Sequence, residues 1–360
     1  MATITLEQAL YHRPDRQAPT LLARSTGFAD AWRADAEALI LGFGDRPGTT
    51  RCPLAVFAKP MGVRHVVVVR VSDHNPDAYP MALRFHFLVV ERKTYEAWIC
   101  DPFILAEKIE PTWDAQDPLP KVLIPEEAFS ARTVAQVQNV LMRVKASALK
   151  EGEDPEAPDF ERTAENSESP ALLGGAQILV DGGRLAFERP VGDLRLASGL
   201  WLLLPEMTRC RLWPTSFAFS DALDFDLLVA PRLDYLDLES YTTEEQAGEY
   251  PEGTYELALQ HAAETGTQRD LDEVFTRRDS NQTLRIALIL LAFVSVVLLV
   301  SNFLEVGVAP KPRPDPLTER QQEIAAAVGI VAVGDPWTAL GMIVHAKTMW
   351  KAEEKPRDAK

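Results

Sequence analysis

The sequence has few residues of the kinds that mark secreted, metal-binding or nucleotide-binding proteins. Its 360 residues include three scattered cysteines, Cys52, Cys100 and Cys210, which form no CxxC pair. An odd set of this kind predicts free thiols in a reducing compartment and argues against a disulfide framework or a zinc site. The six histidines form no HxH or HxxxH pair, and no GxxxxGK[ST] motif occurs. We therefore expect no metal, no cofactor and no P-loop.

Positive charge is also scarce. The chain has 37 Lys and Arg residues against 53 Asp and Glu residues, which gives a formal net charge of −16. A surface of this sign repels phosphate backbones, so nucleic acid is excluded as an expected partner. Residues 1–17 contain neither a basic start nor an apolar stretch, so we expect no signal peptide and a cytoplasmic N-terminal part.

One long stretch, residues 286–304, has no charged residue at all. A helix of this length, at about 1.5 Å per residue, measures roughly 28 Å, which is close to the hydrocarbon thickness of a bilayer. We therefore predict a transmembrane helix over residues 284–304, and a buried core helix is the alternative. Arg277, Arg278 and Arg285 precede the uncharged stretch, so the large N-terminal part is predicted at the cytoplasmic side of the inner membrane.

The C-terminal segment, residues 305–360, contains a second candidate membrane helix at residues 324–346. Asp335 lies in its middle, where a carboxylate is costly, but five basic residues follow it and favour the cytoplasm. A helical hairpin through the membrane and an amphipathic helix lying on a membrane or a partner both stay open.

Strand and helix patterns are mixed without a βαβ rhythm, which predicts the α+β class, with mixed or antiparallel sheets and packed helices. Strands are predicted at 6–12, 20–24, 54–59, 63–71, 81–90, 210–219 and 225–230, with a hairpin at 177–188. Helices are predicted near 28–40, 124–149, 196–207 and 255–278.

An acidic, proline-containing stretch divides the soluble part. Residues 151–170 include eight acidic residues and three prolines, and their apolar content is too low to form a core, so they are predicted to be a linker. This gives an α+β N-terminal domain over residues 1–150 and a second α+β subdomain over residues 171–280.

No residue set has the spacing of a catalytic site. Cys100 and His86 could form a thiol–imidazole pair, but such a nucleophile needs a neighbouring base and an orienting third group. A hydrolase using these two residues is kept as an alternative function. A structural membrane protein whose two hydrophobic segments oligomerise is another.

Several short strings together resemble a known family. Residues 9–13 (ALYHR) and 21–28 (LLARSTGF) are similar to the opening of the N-terminal domain of bacterial GTPase-associated proteins. Residues 84–90 (RFHFLVV) and 101–106 (DPFILA) are similar to a later histidine strand and DPF element of that family. Residues 203–205, Arg209 and 217–219 match its second half loosely, whereas residues 73–80 depart from its usual pattern.

The resemblance implies an adaptor or sensor module that acts beside a GTPase, and often beside membrane proteins, in bacterial conflict or signalling systems. It carries no catalytic residues, so we expect a protein that is not an enzyme. The resemblance concentrates at Arg24, Ser25, Thr26, Gly27 and His86, which form the candidate partner surface. The alternative is that Gly27 only permits a turn with positive φ and that His86 is structural.

Overall fold

The computed structural model describes residues 3–74, 81–111, 113, 117–129, 131–153, 171–234, 238–276 and 280–305. Contacts between Cα atoms divide the chain into two units, Met1–Leu288 and Ile289–Lys360. The first unit is a mixed α+β structure with an antiparallel main sheet and packed helices, as its sequence pattern predicts.

The main sheet has six strands, in the spatial order β2-β1-β5-β4-β3, with β6 paired to the N-terminal part of β1. Every pairing in it is antiparallel. Strands β4 and β5 lie inside the sheet, which explains their nearly continuous apolar runs. The strands are β1 (Thr3–Pro14), β2 (Thr20–Arg24), β3 (Ala55–Met61), β4 (His65–Asp73), β5 (Ala82–Glu91) and β6 (Val122–Pro125).

Helices lie between and after these strands in the chain. They are α1 (Arg33–Gly42), α2 (Arg92–Thr94, continued by a π-helical turn Tyr95–Ile99), α3 (Pro102–Lys108) and α4 (Val134–Glu153). The Asp101 carboxylate caps the N-terminus of α3, because it accepts hydrogen bonds from the backbone N–H groups of Phe103 at 3.0 Å and Ile104 at 3.1 Å. Pro102 at the first helical position has no N–H to satisfy, so the DPF string is a helix start.

The second half of the first unit has a small parallel sheet, in the order β8-β7-β9, surrounded by helices. Its elements are α5 (Leu172–Val180), β7 (Leu185–Glu188), α6 (Leu194–Leu203), α7 (Glu206–Arg209), β8 (Leu227–Ala230), β9 (Thr242–Thr243), α8 (Glu244–Gly248), α9 (Thr254–Thr265) and α10 (Gln268–Thr276). The predicted hairpin at 177–188 is wrong, because its first arm is the end of α5. The predicted strand at 210–219 is also wrong, since that segment forms only isolated bridges.

The two halves share one hydrophobic core. Val56 N–H donates to Ser216 Oγ at 2.9 Å, and Trp201 Nε1 donates to the Cys100 carbonyl at 3.0 Å. A buried ion pair joins Asp101 to Arg209 at 3.3 Å. The predicted linker begins inside α4, and its residues 154–170 lie outside the described residues. The domain boundary at this linker stays a prediction.

The predicted transmembrane helix over residues 284–304 is wrong for the residues that the structure describes. Helix α11 (Ser280–Glu305) is present, but no described helix is long and apolar enough to cross a bilayer. Within α11 the side chains of residues 288–300 are described. They are exposed, so the alternative of a buried core helix is wrong for these residues. The second candidate, residues 324–346, lies outside the described residues, and the predicted localisation stays a prediction.

Candidate functional site

Strand β1 places two successive polar residues, Glu7 and Gln8, on opposite faces of the main sheet. The Glu7 carboxylate accepts hydrogen bonds from Ser25 Oγ at 2.6 Å and from the Gly27 backbone N–H at 3.1 Å, and it pairs with Lys121 Nζ at 2.6 Å. Burial of the Glu7 carboxyl acts to raise its pKa, but these three partners outweigh burial and the pKa is lowered. The loop after β2 is therefore held to the sheet by a charged group.

Gly27 is required by this contact and not by its backbone conformation. It is absent from the described glycines with positive φ, so the interpretation as a positive-φ turn is wrong. A Cβ atom at this position would lie 2.1 Å from Glu7 Oε1, far inside van der Waals contact. Only glycine lets the loop come this close to the carboxylate.

A second set of hydrogen bonds leads from the same loop to the buried histidine. Ser25 Oγ, which donates to Glu7, also accepts the Gln8 backbone N–H at 2.8 Å. The Gln8 side chain donates from Nε2 to the Pro120 carbonyl at 2.6 Å and meets His86 Nε2 through its Oε1 at 2.7 Å. Ser25 and His86 are fully buried and Gln8 is nearly so, which shields this connection from water.

The Gln8 amide determines the state of His86. Since Gln8 Nε2 must donate to a carbonyl, Gln8 Oε1 accepts from His86, and the His86 proton is on Nε2. Burial lowers the pKa of His86 to about 3, and the neighbouring positive charge of Arg70 acts in the same direction. The ring is thus neutral near pH 7, and its Nδ1 has a free lone pair. This atom is buried and has no hydrogen-bond partner among the described residues.

Two arginines lie on the same face of the sheet as His86. Arg70 is directly opposite His86 in the β4–β5 pairing, and Arg84 precedes His86 by two positions on β5. Arg70 is 2% exposed; its Nη2 donates to the carbonyls of Ala106 and Ile109, while its Nη1 has no partner in the described part of the chain. Burial alone lowers the pKa of Arg70 to about 10, so the guanidinium is charged at neutral pH.

Arg84 is held by the segment that crosses this face. Its Nη1 donates to the Trp113 carbonyl, and its Nη2 lies 3.4 Å from His74 Nε2. Its buried Nε has no partner among the described residues. The Trp113 ring meets the His86 ring edge-on, with 6.2 Å between centroids. No described carboxylate forms an ion pair with Arg70 or Arg84 at this face.

The structure brings together three of the five predicted residues. Ser25 and Gly27 share the Glu7 carboxylate, and His86 is joined to Ser25 through Gln8. Arg24 pairs with Asp30 at 2.5 Å at the surface, and Thr26 is exposed. Whether these residues bind a partner stays a prediction.

Sequence reasoning missed five residues that connect the predicted site residues or lie beside them on the sheet. They are Glu7, Gln8, Arg70, Arg84 and Lys121. One signal was available for Arg70, because a single charge inside the run VVVVRV is unusual in a buried strand and has to be satisfied there.

The structure also corrects the interpretation of the cysteines. Cys100 and Cys210, predicted to be free thiols, form a disulfide with a Cα–Cα distance of 4.8 Å. Cys100 is therefore not a free nucleophile in this structure. Cys52 is free, but it is fully buried, and burial raises the pKa of its thiol.

Within the described ranges, no group of three or more His, Cys, Asp or Glu side chains is arranged to hold a metal ion. Comparison of the sequence with models of known protein families and with curated proteins finds no match. The resemblance to GTPase-associated proteins thus stays a prediction.

Proposed function

We propose that this protein is a non-catalytic binding module, an adaptor or sensor in a multi-protein assembly, and that the loop Arg24–Gly27 contacts its partner. The observation that carries the proposal is the attachment of this loop to the sheet through Glu7. Ser25 and Gly27 are held by a carboxylate that is itself paired with Lys121, so the loop is fixed to the sheet while Thr26 stays exposed. Recognition residues are often found on loops that a rigid scaffold positions.

The environment of His86 favours binding over catalysis. A neutral, buried imidazole with its Nε2 proton donated to Gln8 has no described hydroxyl or thiol to activate. Cys100, the other residue of the hydrolase alternative, is bonded to Cys210. A GTPase is the partner class that the family resemblance implies.

The test is affinity capture with the full chain and two matched threonine variants. Thr26→Arg places a long charged side chain in the loop, whereas Thr49→Arg makes the same change at an exposed position in the turn after Pro47. We expect wild type and Thr49→Arg to retain the same proteins from the native host, a GTPase among them, and Thr26→Arg to lose them. Retention of an identical set by all three chains, or of no protein by wild type, would contradict the proposal.

A further inference from the structure

The Arg70–His86 pair has the features of a binding site that the adaptor function does not use. Its two side chains are directly opposite each other on β4 and β5, and both are at least 98% buried. Arg70 Nη1 is a donor without an acceptor, and His86 Nδ1 is an acceptor without a donor, among the described residues. Native proteins rarely leave buried donors and acceptors of this kind unsatisfied.

The charge balance of this face indicates the kind of ligand that would satisfy both atoms. Arg70 and Arg84 bring two positive charges, and no described Asp or Glu forms an ion pair with either of them. A buried charge without a counter-ion is costly, and backbone carbonyls neutralise only part of it. A water molecule could bridge Arg70 Nη1 and His86 Nδ1, but it would leave both charges uncompensated. An anion would compensate them.

The fixed tautomer of His86 restricts which anion fits. Because the Nε2 proton is committed to Gln8, the Nδ1 lone pair faces the ligand and repels a fully deprotonated oxygen. The ligand must therefore offer a hydroxyl to His86 and a negative oxygen to Arg70. Sulfate at neutral pH has no such hydroxyl, whereas hydrogen phosphate does.

We propose that Arg70 and His86 bind a small oxyanion that carries an acidic hydroxyl, the chemistry of hydrogen phosphate, on the face of the sheet where Arg70 donates to the carbonyls of Ala106 and Ile109. Arg70 Nη1 donates to a charged oxygen, the phosphate hydroxyl donates to His86 Nδ1, and Arg84 supplies the second positive charge. This proposal does not rest on the adaptor function.

The site is tested by calorimetric titration of the full chain with inorganic phosphate at neutral pH, and with sulfate and chloride at matched ionic strength. We expect one saturable site for phosphate and at least about tenfold weaker binding of sulfate, because the imidazole lone pair and a sulfate oxygen are both acceptors. No saturable phosphate binding by folded wild type would overturn the proposal. Equal affinity for sulfate and phosphate would also overturn it.

Variants of His86 separate binding from folding. His86→Gln places a donor near the former Nε2, where it reaches Gln8, and removes the Nδ1 acceptor, so phosphate affinity should fall about tenfold or more while the chain stays folded. His65→Gln, at the start of β4, is the matched control, since His65 contacts Trp32 and not this site. Arg70→Met should also abolish binding. It leaves the carbonyls of Ala106 and Ile109 without their donor and can therefore destabilise the fold, so His86→Gln is the deciding variant. Unchanged phosphate affinity in folded His86→Gln would refute the assignment.

Discussion

Replacing Gly27 by alanine tests the attachment of the candidate loop most directly. The new Cβ atom would lie 2.1 Å from Glu7 Oε1, so the carboxylate must leave its position. The atom that yields is the end of a flexible side chain, and the backbone can therefore keep its path. The variant loses the contacts that Glu7 makes to Ser25, Gly27 and Lys121.

The size of the effect follows from these contacts. A hydrogen bond to a charged group contributes about 1.5–3 kcal/mol, but the Glu7 side chain is 15% exposed, and water replaces part of what is lost. Lys121 is 46% exposed, so its ion pair contributes at most about 1 kcal/mol. We expect Gly27→Ala to lower the free energy of unfolding by about 2 kcal/mol.

The assay is urea unfolding of four chains that form a double-mutant cycle: wild type, Gly27→Ala, Glu7→Ala and the double variant. If Glu7 is the obstacle, Gly27→Ala costs under about 0.5 kcal/mol when Glu7 is already alanine. Gly248→Ala, at the end of α8, is the control, because a Cβ there meets nothing within 4 Å, and it should not lower stability. An equal cost of Gly27→Ala in both backgrounds would refute the reasoning.

Three further outcomes are expected. Reduction of Cys100–Cys210, or Cys210→Ser, should destabilise the chain by about 3 kcal/mol in urea unfolding, because the bond closes a loop with a sequence separation of 110; equal stability with and without dithiothreitol would count against this. Wild type should be more stable than Glu7→Gln, and this difference should be complete at pH values above the pKa of Glu7 in the unfolded chain. It should disappear as the pH falls through the lowered pKa of Glu7 in the folded chain. A stability difference that does not change with pH would contradict this. Gly174→Ala should lower the stability by about 2 kcal/mol, because its Cβ would lie 2.1 Å from a backbone carbonyl oxygen. Gly199→Ala should raise the stability by up to about 1 kcal/mol, because its Cβ meets only a methyl group at 3.8 Å. Stability changes of the same sign for both variants in thermal unfolding would refute the contrast.

The antiparallel sheet was predictable because its strands carry strong local signals. The run VRHVVVVRV is rich in β-branched residues and follows a short turn at Gly62, which predicts the β3–β4 hairpin that the structure contains. The DPF string likewise marks a boundary, although its role as the cap and first turn of α3 depends on the Asp101 side chain.

Helix α5 could not be predicted because its pattern has no polar face. Its sequence LLGGAQILV is buried on almost every side, and its end, which precedes a glycine turn, has the pattern of a hairpin arm. Gly174 and Gly175 are not turn residues here. A Cβ at Gly174 would meet the Ala247 carbonyl, so this glycine allows α8 to approach closely.

The disulfide depends on tertiary structure and not on spacing. An odd number of scattered cysteines gives no framework, and the bonded pair is separated by 110 positions. The nearby ion pair between Asp101 and Arg209 joins the same two segments, and each of its residues directly adjoins a bonded cysteine in the chain. Only the packing of the second half against α3 brings these residues together.

The cationic face owes its character to the register of β1. Glu7 and Gln8 are adjacent, and their side chains alternate between the two faces of the sheet. A shift of β1 by one residue that moved Glu7 to the place of Gln8 would put its carboxylate beside His86, where it would neutralise Arg70, and would put Leu6 at the place of Glu7 beside Lys121. The Glu7 carboxylate is thus only one position along β1 from this face, and the observed register points it to the Arg24–Gly27 loop on the other face. The face keeps its positive charge because of this arrangement, which is the condition that an anion site requires.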